Sequence, residues 1–451
     1  MSATRFVQRL AGVGALALAL AGLMATNAAA VPAFAVQTGE PCQACHVGGF
    51  GPQLTPFGRE FKLQGYTLRT GKFNVPLSAM VVASYLHTAQ PQNPPPDPGF
   101  HPNDNVALDQ LSFFFAGGFG SHFGAFVQGT YDGVAAAWHW DNLDLRAVDQ
   151  VKVGKTDVTL GLSLNNAPTV QDAWNTLPAW GYPYTNSELA PAPSTSPLLN
   201  GALAQTSMGL TGYAWINDEV YVEGGAYWSP AARTLSDLGV DPTDPGSING
   251  AAPYGRLAFQ HDLGKGTLEL GVFGLETEIF PGLDHTTGFT DRYTDLGLDG
   301  SYVDTLDNTD VLTFNTRYLH ESQSLRATCA LAGVNSGCAA NTVDDFRIDG
   351  SYYWRDKIGL TVALFDTTGS ANPTLYAGNR TLRPDSDGVT VQLDATPWGD
   401  GKGPFGKRFN TRVGIQYTAY GQFNGASRNW DGMGSNAGDN DGLRLFIWSA
   451  Y

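Results

Sequence analysis

The densest chemistry in the chain lies between residues 42 and 46, which read Cys-Gln-Ala-Cys-His. Two thiols at this spacing can each form a thioether to a porphyrin vinyl group, and the adjacent imidazole can ligate the iron. Cys42, Cys45 and His46 therefore predict one covalently attached haem c, with His46 as the proximal ligand. A redox disulfide and half of a zinc site are the alternatives. The immediate histidine, the export signal described below and the lack of a second C-x-x-C argue against both.

The residues that follow have the pattern of a short helix beside the haem. Thr55 is a suitable N-cap and Pro56 a suitable first helical residue, and Gly65 would end the helix. An apolar wall for the porphyrin is expected from neighbouring side chains: Phe57 and Phe61, one turn apart, with Leu54 or Phe50. Two basic residues, Arg59 and Lys62, could pair with the haem propionates, and ordinary surface charge is the alternative for each.

No motif identifies the second axial ligand of the iron. Met80 falls on the polar side of the first strand candidate, "PLSAMVVASYLHT", where a domain packed inside a barrel could reach it. Met80 is therefore a candidate distal ligand, although a methionine in a strand more often fills space. The other options are His87, His101, His122 and an open coordination position.

Composition and cysteine usage indicate an exported protein. Residues 1–30 have the pattern of a secretory signal, with two arginines, an apolar run and then small residues; an uncleaved anchor is the alternative. Cys329 and Cys338 bracket a short loop and are expected to form a disulfide rather than a metal or redox pair. The formal net charge of −16 argues against a nucleic-acid partner and leaves cations as plausible partners.

From residue 75 onward, segments of about ten residues alternate with period two between clusters of Gly, Asn, Asp and Pro. In "VEGGAYW", for example, Val222 and Trp228 fall opposite Glu223 and Tyr227. A soluble sandwich also alternates, but the low content of charged residues (15%) and the high content of aromatics (12%) favour a transmembrane barrel. The final "LRLFIWSAY" resembles the last strand that outer-membrane barrels present to their assembly machinery. About sixteen strand candidates predict an all-β transmembrane barrel with a small N-terminal monohaem cytochrome c domain.

Two features of the connections bear on function. The run from Asn166 to about Asn200 could fold into the lumen as a constriction, or lie outside. Acidic residues that could concentrate cations form two clusters, for which solvated loop positions are the simpler interpretation in most cases. These residues are Asp295, Asp299, Asp304, Asp307 and Asp310, and then Asp431, Asp439 and Asp441.

The stretch from Phe34 to Thr67 resembles the N-terminus of fused outer-membrane cytochrome–porins, the group that includes the iron-oxidising outer-membrane cytochromes. The shared features are Q-T-G before the motif, C-x-x-C-H itself, and P-x-L-T-P-F-G-R-x-F-K-L-x-G-Y-T after it. The resemblance implies that Cys42, Cys45 and His46 hold one haem in or under a barrel. It also implies electron uptake from an extracellular donor, often Fe(II).

Together these observations divide the chain into a signal peptide (1–30), a haem-binding cytochrome domain (31–73) and a porin-like barrel in outer-membrane lipid (74–451). The expected function is Fe(II)-oxidising electron transfer from outside a Gram-negative cell to a periplasmic cytochrome or copper protein. The haem domain is expected on the periplasmic side or within the lumen. One alternative is a porin for small solutes in which haem is a plug or structural element. The other is a soluble periplasmic cytochrome with a β-sandwich.

Overall fold

The computed structural model describes residues 32–70, 76–306, 309–334 and 338–451. The predicted signal peptide (1–30), the expected domain boundary at 73/74 and Asp307 lie outside the described residues. Within the described ranges, none of the helices is both long and apolar enough to cross a membrane.

The N-terminal segment, residues 32–70, contains three short helices: α1 (Pro32–Thr38), α2 (Cys42–Cys45) and α3 (Pro56–Leu63). The Thr55 hydroxyl accepts a hydrogen bond from the Gly58 N–H at 3.2 Å, which satisfies one of the free donors at the start of α3. Gly65, just past the end of α3, has a φ of 64°, a conformation that glycine adopts without steric cost. The predicted start and stop signals of this helix are confirmed.

The remainder of the chain is dominated by strands. In chain order they are β1 (Leu77–Thr88), β2 (Asn105–Phe119), β3 (Phe123–Asp132), β4 (Ala137–Val153), β5 (Thr156–Asn165), β6 (Met208–Ile216), β7 (Val220–Trp228), β8 (Gly246–Ile248), β9 (Ala252–Asp262), β10 (Gly266–Pro281), β11 (Asp291–Leu306), β12 (Asp310–Leu325), β13 (Ala340–Trp354), β14 (Ile358–Gly369), β15 (Ser386–Ala395), β16 (Asn410–Gln422) and β17 (Gly442–Ala450). Two helices lie in connections: α4 (Ala232–Asp237) and α5 (Arg326–Leu331).

These strands close into an antiparallel barrel. β1 pairs with β2 on one side and with β17 on the other, and neighbouring strands pair in chain order around the ring. The exception is the short β8, which extends the edge of β10, so that β7 pairs directly with β9. Within the described residues the ring therefore contains sixteen strands, and the predicted fold class is confirmed.

The two faces of the wall differ in polarity as the alternation predicted. Val222 and Trp228 are 45% and 38% exposed, whereas Glu223 and Tyr227 between them are buried. Other apolar side chains on the outer face are also exposed: Leu162, Leu210, Leu257, Leu296, Leu298 and Leu364. A closed sheet with an apolar outside suits a bilayer, because lipid offers no hydrogen-bond partner to an open strand edge. The β-sandwich alternative is wrong.

The two ends of the barrel differ in their connections. Short turns join β2 to β3, β4 to β5, β6 to β7, β9 to β10 and β13 to β14 at one end, called here the turn end. The start of β1 and the last residue, Tyr451, are also at the turn end, where Tyr451 N donates to Ala79 O at 2.9 Å. Long connections such as β1–β2, β5–β6 and β16–β17 lie at the other end, called the loop end. Cys329 and Cys338 form the predicted disulfide there.

The connection from residue 166 to 207, between β5 and β6, folds into the barrel and is called here the lumen loop. Val170, Trp174 and Leu177 are at most 1% exposed. Leu198 N donates to Glu321 at 2.5 Å and Leu199 N donates to Asp295 at 2.8 Å, which ties the loop to the wall. Of the two predicted alternatives for this run, the lumen is the one observed.

The acidic residues of β11 are buried rather than exposed to solvent. Asp295, Asp299 and Asp304 are 1%, 5% and 8% exposed. The solvated-loop interpretation is wrong for these three. Asp295 and Asp299, four residues apart, lie on the inward face of the strand, whereas Asp304 lies on the opposite face, where Tyr302 donates a hydrogen bond to it at 3.0 Å.

The N-terminal segment lies across the turn end of the lumen and contacts the wall on several sides. Its hydrogen bonds reach five strands: Gly118 N to Gln37 (2.8 Å, β2), Tyr66 to Asp144 (2.6 Å, β4), Tyr213 to Leu63 O (2.5 Å, β6), Arg59 to Ser301 (3.1 Å, β11) and Arg412 to Phe50 O (3.2 Å, β16). The lumen loop covers it from the other side, since Leu54 N donates to the Asn175 side chain at 2.8 Å.

Candidate functional site

A cavity of about 390 Å³ lies where the N-terminal segment, the lumen loop and the barrel wall meet. Cys42, Cys45 and His46 all line it. The wall side runs from Trp448 of β17 across Met80 of β1 to strands β2, β3 and β4. The three residues singled out by their spacing are therefore brought together on one cavity inside the barrel.

Local packing fixes the orientation of this motif. α2 is a single helical turn. The hydrogen bond that His46 N donates to Cys42 O at 2.8 Å closes this turn and holds the two cysteines and the histidine near one another. Thr55 ties α2 to the start of α3, because its N–H donates to Cys45 O at 2.9 Å and its hydroxyl to Ala44 O at 2.6 Å. At Gly58 an added Cβ would lie 2.2 Å from Cys45 O, so only glycine allows α3 to approach this closely.

The cysteines of the motif are free thiols, not a disulfide. Burial raises the pKa of Cys42, and it raises the pKa of Cys45 to about 12, with the charges of Cys42 and Glu40 adding to the effect. A thiol–disulfide exchange site needs the opposite shift, toward a thiolate near neutral pH. These thiols are therefore poorly suited to the redox-disulfide alternative.

His46 is a neutral imidazole directed at the cavity. Burial lowers its pKa to about 4, and the nearby Arg412 guanidinium contributes to the same shift. The ring lies near the backbone carbonyls of Gln53 and Pro52, but its buried Nδ1 makes no hydrogen bond of standard geometry. Neutral imidazole is the form that ligates a metal, and a carbonyl beside one ring nitrogen is the usual way in which a ligating histidine is oriented.

The cavity is lined mainly by aromatic side chains from three parts of the fold. They include Phe34, Phe50, Phe61, Phe114, Trp180 and Trp448. The rings pack at right angles in places: Phe50 and Trp448 have centroids 4.8 Å apart, and Phe34 and Phe61 5.0 Å apart. Such a lining suits a flat apolar ligand, and the volume is within the usual range for small-molecule sites.

The predicted apolar wall is confirmed in part. Phe50, Leu54 and Phe61 line the cavity. Phe57 does not: its side chain is 38% exposed, whereas Phe61 packs against Phe34 and Tyr66.

The two basic residues of α3 are buried, so the surface-charge interpretation is wrong for both. Arg59 donates to Ser301 at 3.1 Å, away from the cavity. Lys62 lines the cavity, but its ammonium group donates to the backbone carbonyls of Val170 and Asp172 at 2.8 and 2.7 Å. Burial lowers the pKa of Lys62 to about 7, and the positive charge of the neighbouring Arg146 contributes to this decrease. Lys62 thus joins the N-terminal segment to the lumen loop.

Among the four side chains considered as distal ligands, Met80 lines the cavity and the three histidines do not. Met80 packs against the cluster of Phe50 and Trp448. His87 contacts the exposed Asp104 at the loop end, and His122 contacts the Val148 carbonyl at the turn end.

Several residues that enclose the site carry no sequence signal. Trp180 and Tyr184 belong to the lumen loop, more than 130 residues after the C-x-x-C-H motif. Arg412 of β16 directs one nitrogen toward the carbonyls of Val47 and Gly48 at 3.4 Å and of Phe50 at 3.2 Å. Only the closure of the barrel brings these groups to the motif, so spacing along the chain could not identify them.

A buried charge cluster anchors the lumen loop to the wall. Arg256 of β9 contacts Asp172 of the loop at 2.7 Å, and Glu269 and Asp299 of the wall at 3.1 and 2.6 Å. Asp172 also accepts hydrogen bonds from the backbone N–H groups of Trp174, Thr176 and Leu177. One guanidinium therefore connects the wall to the turn of the loop that closes the cavity.

The residues present fit a covalently attached haem. Two thiols and a neutral imidazole lie within one helical turn, at the edge of an aromatic cavity that also receives a methionine. A c-type haem is attached through two such thiols and ligated by the adjacent histidine, and thioether attachment would consume both thiols.

No protein-family profile matches the chain, and no curated protein matches its sequence. Solved structures that align with it include the outer-membrane channel DcaP of Acinetobacter baumannii, at 12% identity and a TM-score of 0.45, over 84% of this chain and 97% of that one. Salmonella typhi OmpF in complex with daunomycin aligns at 13% identity and a TM-score of 0.44, over 83% and 97%. The anion-selective porin from Comamonas acidovorans aligns at 12% and 0.42, over 83% and 98%. The assignment of the barrel rests on the strand pairing of this chain.

Proposed function

We propose that this chain is an outer-membrane electron-transfer cytochrome with one haem c inside its barrel. The observation that carries the proposal is the position of Cys42, Cys45 and His46 on one aromatic cavity within the lumen. A solute channel has no need of that donor set. The resemblance of residues 34–67 to fused cytochrome–porins supports the same conclusion.

Each residue of the site has a role in this proposal. Cys42 and Cys45 would hold the haem through thioethers, and His46 would be the proximal ligand. Met80 would be the distal ligand, since it is the candidate that lines the cavity. When bound, the haem supplies a one-electron carrier. The aromatic lining would keep water from the macrocycle, and Lys62 would keep the lumen loop closed over it.

The connections of the barrel indicate which end would face each compartment. Short turns face the periplasm and longer loops face the outside in bacterial barrels. The N-terminal segment, at the turn end, is then periplasmic, and the cavity extends from it into the lumen. The apolar band of such a barrel is about 25 Å tall, so a carrier inside the wall shortens the insulating path. An Fe(II) donor outside would lose one electron to become Fe(III), and a periplasmic cytochrome or copper protein would receive it.

The test is anaerobic spectroscopy of purified protein titrated with Fe(II). We expect a Soret band, covalent haem that survives denaturation, and reduction by Fe(II). Replacing both cysteines (Cys42→Ser, Cys45→Ser) should abolish covalent haem, whereas His46→Gln should keep the thioethers and change the spectrum. Mature protein without a Soret band would refute the haem. A haem that stays oxidised with Fe(II) at a permissive pH would refute iron as donor.

A porin for small solutes is the second candidate, because the closed sixteen-strand architecture is also that of channels. Hydrogen bonds from the N-terminal segment to strands on several sides of the lumen weigh against a wide pore. Conductance in planar bilayers separates the two. Solute conductance that is unchanged in His46→Gln, with no donor-dependent haem reduction in the parent protein, would favour the porin.

A further inference from the structure

The connection between β15 and β16 is longer and more basic than the short turns at the same end of the barrel. It runs from Thr396 to Phe409, whereas its neighbour between β13 and β14 has only three residues, 355–357. The two connections together contain five basic residues (Arg355, Lys357, Lys402, Lys407, Arg408) and two acidic ones (Asp356, Asp400). This basic surface, which we call the basic connection patch, belongs to a chain whose net charge is −16.

The patch has an exposed aromatic centre. The side chain of Phe405 is 50% exposed, and charged residues lie on both sides of it in the sequence. It packs edge-on against Phe409 and Tyr451, each with ring centroids 5.7 Å away. Lys402, Lys407 and Arg408 around it are all exposed. An aromatic anchor within a polar rim, with arginine present, is the composition typical of protein–protein interfaces.

The patch also contacts the C-x-x-C-H motif directly. Gln43 N, inside α2, donates to Gly399 O at 3.1 Å, and Lys407 donates to Gly39 O. A Cβ added at Gly399 would lie 2.9 Å from the Gly49 Cα, so the two backbones meet without side chains between them. Asn410, the first residue of β16, donates to Gly49 O at 2.6 Å and lines the cavity.

The opposite side of the turn end lacks this character. The turn between β6 and β7 carries the acids Asp218 and Glu219. In the hairpin of β4 and β5, Lys152 pairs with Asp157 at 3.1 Å. The connections 154–155, 217–219 and 263–265 contain Lys155, Lys265, Asp218 and Glu219, whose formal charges cancel. Net positive charge is therefore concentrated on the side of the barrel where the cysteines lie.

We propose that the basic connection patch is the docking surface for an acidic soluble electron-transfer protein, which takes the electron at the turn end. This inference rests on the proposed function and names the charge of the acceptor. Opposite charge on the acceptor would steer encounters toward the patch, and Phe405 would provide a desolvated contact. A haem held by Cys42, Cys45 and His46 would supply one electron, and the acceptor would be reduced by that electron as the iron is oxidised to Fe(III).

The experiment uses the full protein in nanodiscs of zwitterionic lipid. The reduced protein is mixed with an oxidised acidic c-type cytochrome, and separately with a basic one. In the variant Lys402→Glu/Arg408→Glu we expect the second-order rate with the acidic probe to fall about tenfold at low ionic strength. The difference should vanish near 1 M salt, where the screening length is about 3 Å. The rate with the basic probe should rise.

The matched control is Lys152→Glu/Lys155→Glu, which reverses two charges on the other side of the same end. An equal loss of rate in this control, or an unchanged rate in the patch variant, would overturn the docking site. Binding of the acidic cytochrome is measured in parallel on Cys42→Ser/Cys45→Ser protein. Absence of haem in the parent would thus refute the proposed function while the binding assay still tests the patch. Binding of the protein to vesicles of anionic lipid is also measured. If the patch substitutions weaken only this binding, the surface contacts the membrane and the proposal is overturned.

Discussion

Replacing Arg256 by methionine should strongly destabilise the barrel and release the lumen loop. The change removes the single guanidinium that contacts Asp172, Glu269 and Asp299 at 2.6–3.1 Å, all essentially inaccessible to water. Removing one partner of a buried ion pair costs about 3–5 kcal/mol, because the remaining charge is left unpaired in a poorly solvated place. Every 1.4 kcal/mol is a factor of ten, so the folding equilibrium should shift by about 100-fold to about 4,000-fold.

The assay is urea unfolding in lipid vesicles, combined with chymotrypsin digestion. Trp174, now buried in the loop, should become a cleavage site in Arg256→Met. The control is Arg292→Ala, which removes an exposed pair with Glu276 and should cost no more than about 1 kcal/mol. Adding Asp299→Asn to Arg256→Met should recover part of the loss, because one unpaired carboxylate is removed.

The reasoning would be refuted if Arg256→Met unfolded at the same urea concentration as Arg292→Ala. It would also be refuted if the loop stayed resistant to the protease, since another contact would then hold it in the lumen.

Three further changes have definite expected results. Met80→Ala should keep covalent haem but lose the near-infrared band of a methionine-ligated ferric haem; an unchanged band would exclude Met80 as the ligand. The buried Lys62 has its pKa lowered from 10.5 to about 7, so between these values the unfolded chain binds more protons and the free energy of unfolding should rise with pH. Lys62→Met should flatten that rise in urea titrations at pH 7 and 9, and an identical slope would contradict it. Gly399→Val should speed tryptic cleavage at Lys402 and Lys407 by separating the β15–β16 connection from Gly49, whereas Gly378→Ala, which meets no atom within 4 Å, should not.

Local sequence rules predicted the parts of this protein that depend on neighbouring residues. Strand alternation gave the faces of β7, and the Thr55–Pro56 and Gly65 signals gave α3. The same rules could not decide whether the lumen loop lies inside the barrel, because its position depends on partners such as Arg256 and Glu321, far away in the sequence.

The burial of individual side chains is the property that the local sequence pattern predicted least well. Asp295 and Asp299 have the composition of a solvated acidic run, yet they face the lumen because the strand places them there. Phe57 and Phe61 are equivalent by helical spacing, but only the Phe61 side chain is covered by other elements. Spacing gives the side of an element on which a residue lies, and only the tertiary fold decides what covers that side.

The position of the N-terminal segment constrains the order of events during biogenesis. The cysteines precede β1 in the chain, and they end up enclosed by the ring that β1 and β17 complete. In the folded protein the two cysteines are only partly exposed, so an enzyme that attaches the proposed haem would reach them more readily before the N-terminal segment packs into the turn end of the lumen. Attachment after the ring has closed would require this segment to leave the lumen again.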